Sequence, residues 1–326
     1  MFNQQKYADI MKLYPALNMS LLPTPIQKLA NISHLYSSEV YCKRDDLTGI
    51  AFGGNKMRKL DFLIADAMKN NADTIIAIGA NQSNFCRQAA AAAKINGLDV
   101  HLVLGGSKPE KPTGNLIIDD LLGAVIHHVD SDDWERWTEE SACLLDELTK
   151  QGRKVYWMPI GGSTPIGALG YLSAFLEILN DFRKIETNLD VIILATSSAG
   201  TQAGLVAGKE MTGWPGKIIG MAVAQNKKKL ENVVFELVCQ IGSLFGINTN
   251  KESVIVDDNY LGEGYRARTT ECENAVKLFA EKEGIILDYV YTGKAAAGLI
   301  DYLKLDVFKG KNILFIHTGG NIEIFE

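Results

Sequence analysis

Short runs of β-branched and aliphatic residues alternate along the chain with longer segments whose apolar positions recur every three or four residues. The runs are EVYCKR (39–44), DTIIAIG (73–79), DVHLVLG (99–105), AVIHHV (124–129), KVYWMP (154–159), DVIILAT (190–196), KIIGMAV (217–223) and NILFIHT (312–318). Several are apolar at almost every position, as strands buried on both faces are. The periodic segments predict helices at roughly 55–70, 83–96, 114–122, 131–151, 165–183, 200–211, 226–246, 270–283 and 293–304. This rhythm predicts an α/β fold with mainly parallel sheet. Eight strands and nine helices are many for one sheet, so two α/β layers sharing a cleft are expected. The glycine-rich stretch IGGSTPIGALGY (160–171) is the expected hinge or crossing between them.

Length agrees with two layers. A single core rarely grows past ~250–300 residues, and the chain has 326. A net charge of -6 argues against non-specific nucleic-acid binding. A small anionic ligand would then need a local positive site. The five cysteines are odd in number and scattered, with no CxxC pair, which predicts neither a disulfide framework nor a zinc site. The histidines at 34, 101, 127, 128 and 317 lack ligand spacing, so no metal is expected. No apolar h-region opens the chain and no run of 18 uncharged apolar residues occurs. The expected location is the cytoplasm.

Ligands of open α/β sheets sit beyond the carboxyl ends of the strands. Four loops there carry candidate chemistry. GANQSNFCR (79–87) places Asn81, Gln82, Ser83 and Asn84 at the start of an alanine-rich helix. One such residue suffices for a cap, and four suggest ligand contact as well. ATSSAGTQAGL (195–205) combines small residues and hydroxyls where a strand turns into a helix. It reads either as a tight packed turn or as a phosphate cup without a P-loop lysine. FIHTGGN (315–321) ends a strand on Thr-Gly-Gly. In DYVYTGKAAAG (288–298), alternation would put Tyr289 and Tyr291 on one face of a strand.

GGNKMRKL (53–60) sets a lysine at the first turn of a helix, directly after Gly53, Gly54 and Asn55. The helix dipole disfavours a cation there. In a low-dielectric cleft near another cation, and Arg58 and Lys59 lie close by in sequence, an amine loses its proton and becomes a nucleophile. Beside a phosphate cup, the chemistry that needs such an amine is a Schiff base to pyridoxal phosphate.

Taken in order, YCKRDDLTGIAFGGNKMRKL, GANQSNFCRQAAAAA, GGSTPIGALGY, ATSSAGTQAGL, VYTGKAAAGLIDYL and FIHTGG span nearly the whole chain. Together they resemble the D-cysteine desulfhydrase and 1-aminocyclopropane-1-carboxylate (ACC) deaminase family, pyridoxal-phosphate enzymes of fold type II (tryptophan synthase β-like). The resemblance implies two open twisted α/β/α domains with mainly parallel sheets. Residues 1–52 and 164–326 would form the large cofactor-binding domain, and 53–163 a smaller inserted one. It implies a homodimer acting on a small amino acid. Lys56 matches the Schiff-base lysine, and Asn84 would hydrogen-bond the pyridine hydroxyl. Gln82, Ser83 and Asn84 would hold the substrate carboxylate. Ser198, Ala199, Gly200 and Thr201 match the phosphate loop, Thr318 would face the pyridine nitrogen, and Tyr265 and Tyr291 match the two active-site tyrosines. Two departures stand out: Phe85 where the family often has histidine, and Thr292 where the deaminase branch usually has glutamate. The second favours D-cysteine desulfhydrase, with ACC deaminase or cysteate sulfo-lyase as the alternatives, and a non-catalytic cofactor-binding protein as the reading of another class.

Overall fold

The computed structural model describes residues 4–325. Two sheets organise them. The larger has six strands. At one edge β1 (Ile26–Lys28) pairs antiparallel with β2 (Glu39–Arg44), and β2 is followed by β10 (Asn312–His317), β7 (Val191–Thr196), β8 (Lys217–Ala222) and β9 (Ile255–Asp257), all parallel. The smaller sheet is parallel throughout, in the order β5 (Val125–Val129), β4 (Asp99–Gly105), β3 (Thr74–Ala80) and β6 (Val155–Met158).

The continuous apolar runs are strands buried on both faces. All six residues of β7 are buried, and their side chains alternate between two cores as a pleated strand requires. Ile192 and Leu194 pack with Tyr171, Phe175, Leu205 and Ile218, beneath α7 (Pro165–Lys184), α8 (Gly200–Thr212) and α9 (Lys227–Phe245). Val191 and Ile193 pack with Leu29, Ala275, Phe279 and Leu299, beneath α2 (Ala30–Tyr36), α10 (Thr270–Glu283) and α11 (Thr292–Leu303). On the smaller sheet, Ile75, Ala77 and Leu102 meet α3 (Lys56–Lys69), α4 (Asn84–Ile95) and α5 (Gly114–Leu121). The opposite face, with Ile76 and Val103, meets Leu144 and Leu148 of α6 (Trp134–Lys150). The chain leaves the smaller sheet after β6, turns through Ile160–Gly162 and enters α7, so the glycine-rich stretch is a crossing. No helix among the described residues is long and apolar enough to cross a membrane.

Several elements lie outside the predicted set: α1 (Gln4–Met11), α2, β1 and β9. Two of these are three-residue strands, too short to show a period, and α1 and α2 span about two turns each. One expectation is corrected. Residues 289–291 form a turn rather than a strand. The Asp288 carboxylate accepts from the N–H groups of Val290, Tyr291 and Thr292 at 2.8, 2.5 and 3.0 Å and from the Thr292 hydroxyl, which curls the chain into α11. Tyr289 and Tyr291 therefore part company. Tyr289 lies under Arg268, whose guanidinium carbon is 4.2 Å from the ring centre, while Tyr291 turns to Tyr265.

Candidate active site

The carboxyl ends of both sheets open on one cleft. It is bordered by Asn55, Lys56, Ser83, Asn84, Phe85, Trp134, Ser198, Ala199, Thr201, Tyr265, Tyr291 and Thr318. Of the residues singled out from the sequence, Gly200 is buried beneath this surface as the first residue of α8. Gln82 is turned away. Its amide oxygen accepts from Asn115 N at 2.8 Å and its amide nitrogen donates to the Thr113 carbonyl and hydroxyl, both at 3.1 Å. It borders an outer vestibule that shares Ala80, Trp134, Trp137 and Tyr265 with the cleft. Ser83 both lines the cleft and caps α4, accepting from Cys86 N at 3.2 Å.

Local backbone geometry explains where Lys56 sits. Gly53 and Gly54 have φ of 65° and 122°, and a Cβ on Gly53 would lie 2.3 Å from the Asp46 carbonyl oxygen. Only glycine allows that path, and it delivers Lys56 as the first residue of α3 with Asn55 as its cap. The Lys56 amine donates to Asn55 Oδ1 at 2.9 Å, and Asn55 Nδ2 donates to the Thr201 hydroxyl at 3.0 Å. One asparagine therefore ties the amine to the hydroxyl-lined turn before α8.

Burial lowers the Lys56 pKa to about 8. The Arg87 guanidinium pushes the same way, while Glu323 and Asp288 resist. The sequence singled out Arg58 as a neighbouring cation, and here the structure differs. Arg58 points away from the cleft and is paired with Asp45 and Glu177. Arg87, 31 positions after Lys56, takes that place.

The turn before α8 has the small residues and the helix N-terminus that suit an anion. Ala199 adopts φ 70°, so the chain reverses sharply into the helix N-terminus. A Cβ at Gly200 would come within 2.7 Å of Lys59 Nζ and 2.9 Å of Ser163 Oγ. Lys59 is fully buried, and its amine donates to the Gly161 carbonyl at 3.0 Å. Burial, with Lys56 adding to it, holds its pKa well below the usual range. Ser163 Oγ lies 3.0 Å from Ser198 Oγ and accepts from Gly200 N at 3.3 Å. An anion arriving beside this buried amine would favour its protonated form. A lysine therefore lies beside this turn after all, supplied by a different element. Lys59 and Ser163, which border this turn, were not singled out from the sequence as its neighbours. Lys59 falls three positions after Lys56 on one helix face, and Ser163 lies in the glycine-rich stretch, so both carried a usable signal.

The far wall is tyrosine. Tyr265 and Tyr291 hydroxyls lie 2.6 Å apart, and Trp134 stands edge-on to Tyr265. Tyr265 belongs to a largely exposed loop tied down by Lys294, whose buried amine donates to the Leu261 and Gly264 carbonyls, both at 2.8 Å. Lys294→Met is expected to leave the core intact but loosen this loop. Charge-assisted hydrogen bonds contribute about 1.5–3 kcal/mol each, so a kcat/KM loss of about tenfold or more should accompany faster proteolysis between 258 and 268. An unchanged cleavage rate would refute the anchoring role.

The residues fit pyridoxal phosphate: an anion cup, and an amine of lowered pKa on the same cleft. Comparison with known proteins agrees. The family described as pyridoxal-phosphate dependent enzyme matches residues 17–319. The D-cysteine desulfhydrase of Salmonella typhi is 38% identical, the match covering 96% of each chain. The bifunctional D-cysteine desulfhydrase/1-aminocyclopropane-1-carboxylate deaminase of Arabidopsis thaliana is 35% identical over all of this chain and 83% of its own. A crystal structure of an ACC deaminase homologue superposes with a TM-score of 0.92 at 36% identity, covering 99% of this chain and 97% of the other. With family, relatives and fold in agreement over nearly its whole length, this chain belongs to the pyridoxal-phosphate dependent enzymes, in fold type II.

Proposed function

We propose that the chain carries out α,β-elimination on a small amino acid, D-cysteine first, consuming one water and releasing pyruvate, ammonia and hydrogen sulfide. The observation that carries this reading is the Asn55 bridge, which sets the Lys56 amine and the anion cup on one cleft. Pyridoxal phosphate, when bound, supplies the aldehyde and the electron-withdrawing ring that acidify the substrate Cα–H. Lys56 would carry the cofactor. Ser198, Ala199, Gly200 and Thr201, with Lys59 behind them, would hold its phosphate. Asn84 would donate to its ring oxygen and Thr318 would meet its ring nitrogen.

The other groups act on the substrate. Ser83 and Asn84, at the N-terminus of α4, suit a carboxylate, which free helix N–H groups favour. The Lys56 amine, neutral in its lowered-pKa site above about pH 8, takes the Cα proton onto Nζ. The Tyr291 hydroxyl, hydrogen-bonded to Tyr265, gives a proton to the departing thiolate. Burial, with Tyr265 nearby, keeps the Tyr291 hydroxyl protonated. Phe85, 2% exposed, presents an apolar floor that suits a short thiol side chain better than a sulfonate. Thr292 fits the same choice. The nearby carboxylate, Asp288, is occupied by the amides of the turn leading into α11 and by the Thr292 hydroxyl. Homodimerisation and a smaller unit spanning 53–163 belong to the same proposal.

Two measurements test it. D-cysteine, L-cysteate and ACC offered side by side should give sulfide and pyruvate from D-cysteine first; 2-oxobutyrate from ACC alone would overturn the assignment. Because only the neutral amine attacks, incorporation of pyridoxal phosphate into cofactor-free protein should quicken about tenfold per pH unit below 8 and level off above it. A rate flat from pH 6 to 9 would contradict the lowered Lys56 pKa.

A further inference from the structure

Behind the cleft wall a chain of amides joins two charged groups. Arg87 Nη1 donates to Asn115 Oδ1 at 2.7 Å. Asn115 Nδ2 donates to Asn84 Oδ1 at 3.3 Å, and Asn84 Nδ2 donates to the Glu323 carboxylate in a short contact. Arg87, Asn115 and Glu323 are 1%, 0% and 4% exposed, and Asn84 alone reaches the cleft. The ends decide the direction. A guanidinium can only donate and a carboxylate can only accept, so Asn115 must present oxygen to Arg87 and nitrogen to Asn84. Asn84 must then present nitrogen to Glu323. Turning either amide over would set oxygen against oxygen or N–H against N–H in a buried place. Gln82 reinforces the order, because Asn115 Nδ2 also donates to its carbonyl at 2.9 Å.

We propose that Glu323 is a positioning residue, fixing Asn84 as a hydrogen-bond donor toward the ligand in the cleft through a one-way relay that begins at Arg87. An amide nitrogen has two donors. Glu323 takes one, and the other is left for an acceptor, which for the bound cofactor is its ring oxygen. This rests on the proposed function only in naming that acceptor.

Holoenzyme variants test the relay by visible absorbance, by retention of the cofactor on dialysis and by KM. Glu323→Leu removes the acceptor. Asn115→Asp keeps shape and the Arg87 pair but opposes an acceptor to Asn84 Oδ1. Both should shift the absorbance maximum, speed cofactor loss and raise KM about tenfold or more. Glu323→Gln, which can still offer oxygen to Asn84, should restore most of the Leu defect. The relay is overturned if Glu323→Leu and Asn115→Asp change spectrum, retention and KM by less than about threefold, below an ordinary hydrogen bond's contribution. It is also overturned if Glu323→Gln is as damaging as Glu323→Leu. Borohydride labelling separates the two claims. A wild-type protein unlabelled at Lys56 overturns the proposed function and, with it, the acceptor named here, whereas intact labelling with unmoved spectra overturns the relay alone.

Discussion

Lys56→Ala is expected to remove turnover and, with it, the covalent attachment of cofactor. The substitution deletes two things at once: the tether, and the amine proposed to take the Cα proton. Positioned proton transfer by itself contributes about 10²–10⁴-fold, so residual activity should fall at least that far. After borohydride treatment, wild type should carry a pyridoxyl group on the peptide containing residue 56, and the variant should carry none. Lys59 is the natural control. It is the other buried amine by the cup, and it is committed to the Gly161 carbonyl. Lys59→Met should weaken cofactor retention while leaving the label on Lys56. Label appearing on Lys59 in wild type would refute the assignment.

Stability supplies an independent check on the same residue. The pKa of Lys56 is lower in the fold than in the open chain, where a lysine titrates near 10.4. Below pH 8 both states hold the proton and the fold bears the cost of a buried cation. Between about 8 and 10.4 the unfolded chain binds more protons, so stability rises with pH there. Cofactor-free Lys56→Met should therefore melt above wild type at pH 7, and that gain should vanish above about pH 10.

Arg58→Met is expected to cost the fold about 3–5 kcal/mol, because it strands carboxylates that burial would otherwise neutralise. Arg58 donates through Nε and Nη2 to Asp45 at 2.9 and 2.8 Å and through Nη1 and Nη2 to Glu177, both at 2.9 Å. Lys43 adds a second cation between Glu177 and Asp181, at 2.6 and 2.8 Å. Tyr171 completes the cluster with a short hydrogen bond to Asp45. Burial alone would push the Asp45 carboxyl up; Arg58, helped by Tyr171 and Thr24, holds it below the usual range. Glu177 is held down against burial in the same way by Arg58 and Lys43. Both carboxylates thus add stability above pH ~4, lost as pH falls through their folded values. In the variant the sign reverses, since a stranded carboxylate is relieved by protonation. The gap between wild type and Arg58→Met, measured by urea unfolding, should narrow from pH 7 to pH 4. A gap independent of pH would show that lost packing, rather than stranded charge, causes the defect. The cluster also has a bearing on the site, because Arg58 lies two residues after Lys56 and pins the first turn of α3 to α7.

Periodicity carried most of the fold. Helices such as α7, α9 and α10 stand within a residue or so of the segments read from apolar spacing, because each presents one continuous apolar face to a sheet. What escaped were elements too short to have a period, and the turn at 289–291, where one buried carboxylate outweighs the strand preference of two tyrosines. At the site, the loops that border the cleft were legible because each combines glycine or hydroxyl residues with the carboxyl end of a strand. Gln82 shows the limit of that logic, since it shares the motif yet spends its amide on Thr113 and Asn115.

The amino-acid sequence by itself determined the α/β class, the strands buried on both faces, the cleft-facing loops and the lysine directly after its glycine pair. Each of these is a property of neighbouring residues, and local pattern encodes it. The tertiary structure alone decided which charges act together. Arg87 and Glu323 reach Lys56 from 31 and 267 positions away, Lys59 and Ser163 meet beneath the anion cup, and Arg58 is neutralised on the far side of its helix. Electrostatic coupling depends on distance and burial, and neither quantity exists along the chain until the two sheets close on each other.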